Sequence, residues 1–259
     1  MTETTVPPLD TADDAEEPER ELRKMSFLEH LEELRKRLLI SILAILGAFL
    51  LCWNYADWIF GLLEQPLAKF LPKGGKLVYT TLTEPFMLYM KVAFFGGIFV
   101  ASPIIMFQLW KFISPGLYKR ERRYAAPFII FATLFFVLGG YFGWRVILPG
   151  ACDFFLKTGK QFTQMIKADE FFSFASKMIL ASGLVFETPI LIFFLARLGI
   201  VTPAFLMQKF KYAIVLAFII AAIVTPSPDM VNQTLLALPM IALYLLGVGI
   251  AWAFGKKVD

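Results

Sequence analysis

Acidic side chains in three unusual settings are the residues of this sequence best suited to chemistry with a charged partner. Glu33 lies in a stretch of mixed acids and bases before the first long apolar run, and Arg35 follows it closely. Glu121 is the one acid among four bases in 119–123, and Glu187 is the one acid inside a long apolar run. Glu121 is either satisfied by its neighbours or available to an arriving cation. Glu187 is either neutral and hydrogen-bonded in a structural role, or holds water in a concave pocket that thins the bilayer, and the residues alone leave these interpretations open.

The sequence offers little for catalysis. It contains no cluster of metal-ligating residues, no glycine-rich phosphate loop and no nucleophile with a base beside it, and His30 is its only histidine. A membrane-embedded hydrolase would need such a nucleophile. We therefore expect a protein that is not an enzyme and has no metal, no cofactor and no nucleic-acid partner.

The composition indicates that an integral membrane protein presents these acids. Hydrophobic residues make up 58% of the chain, aromatic residues 16% and charged residues 18%, which exceeds the apolar surface that a soluble domain needs for its core. A helix that crosses roughly 30 Å of hydrocarbon needs about 20 residues with few charges. Six runs approach this pattern: 38–56, 92–110, 124–144, 178–196, 212–225 and 231–255.

The fifth and sixth runs differ from ordinary spans. The fifth has only roughly 14 uncharged residues, a rise of about 21 Å, before the turn at 226–228. A span this short must tilt little, thin the bilayer or end in a water-filled hollow, and Pro239 permits a kink in the sixth. The predicted fold is an all-α integral membrane protein of six transmembrane helices, with a concave face around the short fifth helix and the sixth.

The distribution of basic residues predicts the orientation, because lysine and arginine near helix ends resist translocation. With the N-terminus inside, 16 of the 25 lysines and arginines are cytoplasmic and 9 are outside, so we expect both termini in the cytoplasm. Residues 1–25 predict a disordered acidic cytoplasmic tail, since they contain few bulky apolar side chains. Residues 26–255 then form the transmembrane domain, and 256–259 form a short cytoplasmic tail.

Residues 26–39 predict an amphipathic helix that lies at the headgroups. Leu31, Leu34 and Leu38 recur at helical spacing, and charged residues occupy the other face. Acids and bases four residues apart, such as Glu33 and Arg37, predict internal ion pairs that account for most of these charges. The pairs do not explain why so many acids lie at a surface that repels them.

Five short pieces of the sequence form a pattern in order along these spans: 30–38, 65–67 with Pro66, Pro103 with 110–123, 186–189 and 233–239. This pattern resembles the TatC family, the receptor core of the twin-arginine protein translocase. The resemblance extends from about residue 26 to 255 in one register. Any single piece would be weak evidence, but five in order are hard to obtain by chance.

The resemblance implies a receptor in the bacterial cytoplasmic (inner) membrane that binds twin-arginine signal peptides of folded proteins and supports their export, driven by the proton-motive force. Arginine presents a rigid donor fork that a carboxylate accepts bidentately. On matching positions, Glu33 and Glu121 would each hold one guanidinium. Phe112 would meet the apolar stretch of the peptide, and Arg35 belongs to the same surface. Lysine should bind less well, because it has no fork.

The resemblance also implies roles elsewhere in the chain. The fifth and sixth helices resemble a surface on which single-span partner subunits of the TatA/TatB type dock, with Thr225 and Gln233 as contacts, although both residues would serve equally as polar caps of a turn. Self-association is a further expected interaction. Asp229 matches a family acid in the outer turn. Glu187 matches a family acid whose task is either local bilayer weakening or a proton-linked step.

A proton-coupled small-solute transporter is the main alternative that the residues permit. Six spans and a mid-membrane acid at Glu187 would suit it. Such transporters commonly contain internal repeats, however, and the two halves of this sequence share no visible similarity. The receptor interpretation is therefore favoured.

Overall fold

The computed structural model describes residues 27–71, 75–113, 125–225 and 230–254, which are largely helical. The helices are α1 (Phe27–Trp53), α2 (Ala56–Ala68), α3 (Glu84–Ile113), α4 (Ala125–Phe142), α5 (Leu148–Thr158), α6 (Ala168–Phe186), α7 (Thr188–Arg197), α8 (Pro203–Gln208), α9 (Phe210–Val224) and α10 (Met230–Phe254). A π-helical turn, Gly143–Ile147, joins α4 to α5. The predicted tails at 1–25 and 256–259, and the acids Glu121 and Asp229, lie outside the described residues.

Six helical segments provide the membrane spans, as the sequence predicted. Five are long and apolar enough to cross a bilayer alone: Glu29–Trp53, Glu84–Ile113, Ala126–Thr158, Ala168–Arg197 and Met230–Ala253. The remaining span, which is fifth in chain order, is α9, a shorter apolar helix of 15 residues that rises about 22 Å. The prediction of a short fifth span is confirmed.

Successive spans run in opposite directions, so the bundle has two ends. We call one the α8 end: it contains α8, the start of α1 and the ends of α3 and α7, and Tyr244 Oη donates to the carbonyl of Leu206 at 2.8 Å to tie α10 to α8. We call the other the α2 end, where Trp144 Nε1 donates to the carbonyl of Leu62 at 2.9 Å. One such hydrogen bond at each end of the bundle ties neighbouring helices together.

Several element boundaries differ from the predicted ones. Helix α1 runs unbroken over Phe27–Trp53, so the expectation that 26–39 forms a separate helix at the headgroups is wrong. The third span continues through the π-helical turn to Thr158, and the fourth begins at Ala168 and is divided at Glu187. Uncharged windows mark the part of a helix that hydrocarbon can accept, whereas helices extend beyond it into polar surroundings.

The α2 end is covered by a cap that the sequence did not predict. Helix α2 packs there with Pro66 buried inside it. Lys91 Nζ lies 2.6 Å from Asp169 Oδ1, which joins the starts of α3 and α6. An isolated parallel bridge between Val78 and Lys167 holds the preceding segments together. The cap thereby fixes the spacing of three spans at this end.

Glycines let α4 and α6 approach closely in the middle of the bundle. A Cβ atom added to Gly139 would lie 2.5 Å from the carbonyl oxygen of Ser182, and one on Gly183 would lie 2.9 Å from Cε2 of Phe136. Small residues at such crossings allow backbones to pack at short range inside a membrane. The α4–α6 contact is therefore a rigid centre around which the other spans are placed.

Replacing Gly139 with alanine should destabilise the protein, because the new methyl group would meet backbone rather than a movable side chain. Overpacking of this kind costs about 1–3 kcal/mol. The matched control is Gly47→Ala, since a Cβ there has no atom within 4 Å and alanine favours a helix by up to about 1 kcal/mol. Thermal unfolding in detergent should show a lower midpoint for Gly139→Ala alone, and equal midpoints would contradict the packing.

Candidate functional site

Glu33 and Arg37 form an ion pair in the first turns of α1, at the α8 end. A spacing of four residues puts both side chains on one face of the helix, and Arg37 Nη2 donates to Glu33 Oε1 at 3.0 Å. Only 14% of the Glu33 side chain and 20% of the Arg37 side chain are exposed. The internal pair predicted from the spacing is confirmed, and it is shielded from water.

Gln108 is a third member of this cluster, and sequence reasoning missed it. It is buried on α3, and Arg37 Nη1 donates to its Oε1 at 3.4 Å, a long hydrogen bond. The available signal was weak, since Gln108 is one amide in the otherwise apolar run 92–110. Its contact with Arg37 joins α1 to α3 at the surface where peptide binding was predicted.

The cluster is only partly satisfied. In the described part of the chain, Glu33 Oε2 and Arg37 Nε are buried atoms without a hydrogen-bond partner. A carboxylate can accept about four hydrogen bonds, and a guanidinium can donate five. Leaving such groups unsatisfied in a shielded place costs stability. Glu33 therefore keeps acceptor capacity for a further donor.

Aromatic packing fixes the position of this cluster. The rings of His30 and Phe112 stack with centroids 4.5 Å apart and planes inclined at 24°. Two residues earlier on α3, Trp110 is buried against Phe128 of α4 and Phe194 of α7, with centroids 5.1 and 5.2 Å away. The structure thus brings predicted Phe112 to the same α1–α3 junction as Glu33.

Bases surround the cluster at the α8 end. Among the described residues this end carries Arg35, Lys36, Lys111, Arg197, Lys209 and Lys211. Arg35 and the acid Glu32 are exposed, unlike the shielded Glu33. The described part of this end is thus rich in bases and carries both an exposed acid, Glu32, and the shielded carboxylate of Glu33, and either can attract a cationic group.

Glu187 lies at a break in the fourth span, between α6 and α7. Glu187 as a whole is partly exposed, whereas its Oε1 atom is buried and has no hydrogen-bond partner among the described residues. Pro189 follows at the start of α7 and lacks an amide hydrogen. Thr188 Oγ1 donates to the carbonyl of Val185 at 2.6 Å, which compensates part of the break. The acid was predicted as a mid-span site, but the break was not.

Thr225 and Gln233 both lie at the α2 end, Thr225 directly after α9 and Gln233 near the start of α10. Thr225 is buried, and its Oγ1 donates to the carbonyl of Ala221 at 2.8 Å. Gln233 is half-buried in the first turn of α10. This geometry is compatible with both interpretations of these residues, as caps and as partner contacts. Pro103, in contrast, is an exposed residue within α3.

The arrangement of the histidine, cysteine and acidic side chains bears on metal binding. In the ranges that the structure describes, no group of three or more His, Cys, Asp or Glu side chains is placed to hold a metal ion. Cys52 and Cys152 are both free and buried. Glu33 and Glu187 are two of the described residues with a buried polar atom that has no hydrogen-bond partner. They are therefore the stronger candidates for binding a ligand or water.

Together, six spans, a polar break in the fourth and a partly satisfied acid–base cluster at one end define a polytopic membrane protein. Residues 29–239 match the family "Sec-independent protein translocase protein (TatC)". The chain belongs to the TatC family.

Individual relatives agree with this assignment. The chain is 44% identical over 254 residues to the Sec-independent protein translocase protein TatC of Koribacter versatilis (strain Ellin345), covering 97% of this chain and 94% of that protein. It is 41% identical over 223 residues to the protein of the same name from Helicobacter pylori (strain 26695), with 86% and 85% covered. A crystal structure of the twin-arginine translocase receptor TatC in DDM superposes with a TM-score of 0.78 at 37% identity, covering 88% of this chain and 100% of that one.

A double-mutant cycle should detect the coupling between Glu33 and Arg37. Glu33→Gln and Arg37→Gln should each lower stability, because each leaves a shielded charge unpaired. The double variant should lose less than the sum of the two, with a coupling free energy of about 0.5–3 kcal/mol. Chemical or thermal unfolding in detergent measures it, and strictly additive effects would show that the pair does not form.

Proposed function

We propose that this protein is the signal-peptide receptor of a Sec-independent protein translocase, and that its α8 end binds paired arginines in the signal peptides of folded proteins. The observation that carries the proposal is Glu33, a shielded carboxylate with one oxygen unused, set in a junction of α1 and α3. Membership of the TatC family supports it. The protein itself is proposed to be a receptor rather than an enzyme.

Charge and shape explain why arginine would be preferred over lysine. A guanidinium can donate two parallel hydrogen bonds to a carboxylate, whereas an ammonium is a compact charge that cannot form this fork. Glu33 offers such an acceptor, and Glu121, outside the described residues, is proposed as the second. Phe112, stacked on His30, would contact the apolar stretch that follows the arginines.

Arg37 already occupies Glu33 in the way that an arriving arginine would. An incoming guanidinium would take Glu33 Oε2 and displace Arg37 from Oε1, while Arg37 keeps its contact with Gln108 Oε1, 3.4 Å from Nη1. One buried ion pair then replaces another, so the exchange avoids the cost of a bare carboxylate in a shielded place. Arg37 and Gln108 would thereby keep the empty site stable. After the exchange the Arg37 guanidinium would have the neutral amide of Gln108 as its partner, a cost that the incoming arginine must offset.

The α8 end is proposed to face the cytoplasm. Bases near the span ends favour this orientation, and it puts both termini inside. In a bacterial cytoplasmic membrane, signal peptides would then meet the receptor before export, on the side where folded precursors are made.

Partner subunits are proposed to dock on the surface formed by α9 and α10. Helix α9 contacts few neighbours and exposes a row of apolar side chains, including Val215, Ile219 and Ile223. Single-span subunits of the TatA/TatB type are the proposed partners, with Thr225 and Gln233 as polar contacts at the α2 end.

Glu187 is proposed to hydrate the membrane beside the break between α6 and α7. A buried acceptor without a partner inside hydrocarbon is costly, so it would draw water or another donor toward it. Such a group perturbs the bilayer locally, which suits a protein that must help a folded cargo cross.

Peptide binding tests the receptor proposal directly. A labelled signal peptide with Arg-Arg should bind the detergent-purified protein at least about tenfold more tightly than its Lys-Lys counterpart, a difference of about 1.4 kcal/mol. Glu33→Gln and Glu121→Gln should each reduce that preference. The matched control is Glu32→Gln, which removes an exposed acid one residue from Glu33 and should leave the preference unchanged.

Equal binding of the two peptides, or an equal loss in the Glu32→Gln control, would contradict the assignment of Glu33. Arg37→Gln adds a second comparison. Because Arg37 competes for Glu33, its removal should tighten Arg-Arg binding, whereas a purely supporting role would weaken it.

Substitution of Glu187 should reduce export without reducing the stability of the protein. Glu187→Leu removes an unsatisfied buried acceptor, so the unfolding midpoint in detergent should be equal to or higher than that of the wild type. Export of a folded reporter, in cells that lack their own family member, should fall strongly with Glu187→Leu and less with Glu187→Gln. A large loss of stability in Glu187→Leu would instead assign the acid a structural role.

A further inference from the structure

An open cavity of about 240 Å³ lies at the α2 end, on the side of the bundle away from the peptide surface. It is lined by Glu170, Ser173, Phe174 and Lys177 of α6, with Val224 at the end of α9 and Asp169 at its rim. The four α6 residues follow the i, i+3, i+4, i+7 pattern, so they form one continuous stripe on that helix. The cavity therefore has one acidic end, one basic end and an apolar wall.

The charged side chains along this stripe differ in how strongly they are paired. Asp169 is held by Lys91 at 2.6 Å, but Glu170 is 73% exposed and its contact with Lys167 is long, at 3.6 Å. Lys177 is exposed, and among the described residues no carboxylate lies within ion-pairing distance of it. Glu170 and Lys177 are thus a negative and a positive group that can both accept a partner.

The end of α9 places this cavity at headgroup depth. Helix α9 has 15 residues and ends at Val224, and its rise of about 22 Å is less than the roughly 30 Å of a hydrocarbon core. A bilayer next to so short a span must thin locally. Because Val224 lines the same cavity as Lys177, the headgroups of that leaflet come down to the level of this stripe.

We propose that the cavity binds the headgroup of an ethanolamine phospholipid, with its phosphate at Lys177 and its ammonium at Glu170. Lysine side chains in helices lean toward the N-terminal turn and reach for the interface, which here directs the ammonium of Lys177 along the stripe toward Glu170. Phe174 and Val224 offer apolar contact to the glycerol region. The bound lipid would anchor the thinned leaflet between α6 and α9.

The lining selects this headgroup over others of similar size. A phosphatidylglycerol headgroup carries a net negative charge and would bring no cation to Glu170. A choline headgroup carries a cation, but its methyl groups cannot donate a hydrogen bond to the carboxylate. Only the primary ammonium satisfies both ends of the stripe at once.

Native mass spectrometry of the detergent-purified full chain tests the proposal, using palmitoyl-oleoyl phosphatidylethanolamine, phosphatidylglycerol and phosphatidylcholine at equal concentrations. The wild type should retain the ethanolamine lipid about two- to fivefold more than the other two, the size expected of one partly exposed charge pair. Lys177→Met should lose that retention, and Lys177→Arg should keep it. Glu170→Gln should retain all three lipids alike.

Lys157→Met is the matched control, because Lys157 is an exposed lysine at the same end that lies outside the cavity and pairs with Asp153. It should bind lipid as the wild type does. Retention of phosphatidylglycerol equal to that of the ethanolamine lipid, or unchanged retention in Lys177→Met, would overturn the proposal. If Lys177→Met does not fold, the comparison of Glu170→Gln with the wild type decides alone.

Discussion

The close approach of α1 to α3 is the contact on which the recognition surface depends. A Cβ atom added to Gly97 would lie 3.0 Å from the backbone nitrogen of Phe49 and 3.2 Å from the carbonyl oxygen of Ile45. Two to three turns further toward the α8 end, the same two helices bring Arg37 to Gln108. The position of Glu33 is thus set by backbone packing between α1 and α3.

The other polar features lie where the bundle meets a distorted bilayer. Glu187 interrupts the fourth span, and α9, which contacts α6 of that span, is too short to cross an unperturbed membrane. Glu187 and Lys177 are ten residues apart on the fourth span, a rise of about 15 Å along it, so the uncharged stretch between these two side chains is only about half the thickness of a hydrocarbon core. On the proposed function, one end of the protein binds peptides, and the side that carries Glu187 and Lys177 lowers the cost of moving polar groups through lipid.

The sequence predicted those parts of the structure that follow from periodicity and charge. The six spans, the short fifth helix and the Glu33–Arg37 pair are consequences of spacing that one-dimensional reasoning can detect. Gln108 could not be predicted, because an isolated amide in an apolar run gives no indication of which helix it faces. The break at Glu187 could not be predicted either. Pro189, two residues later, explains it once the structure is known, but a proline in a span more often kinks a helix than ends it.

Site-specific photocrosslinking tests the central claim most directly. A signal peptide with a photoreactive residue next to its paired arginines should form adducts with the start of α1 and the end of α3, around His30 and Phe112, and an excess of unlabelled Arg-Arg peptide should suppress them while a Lys-Lys peptide does not. Adducts confined to the α2 end, or equal suppression by both competitors, would contradict the account.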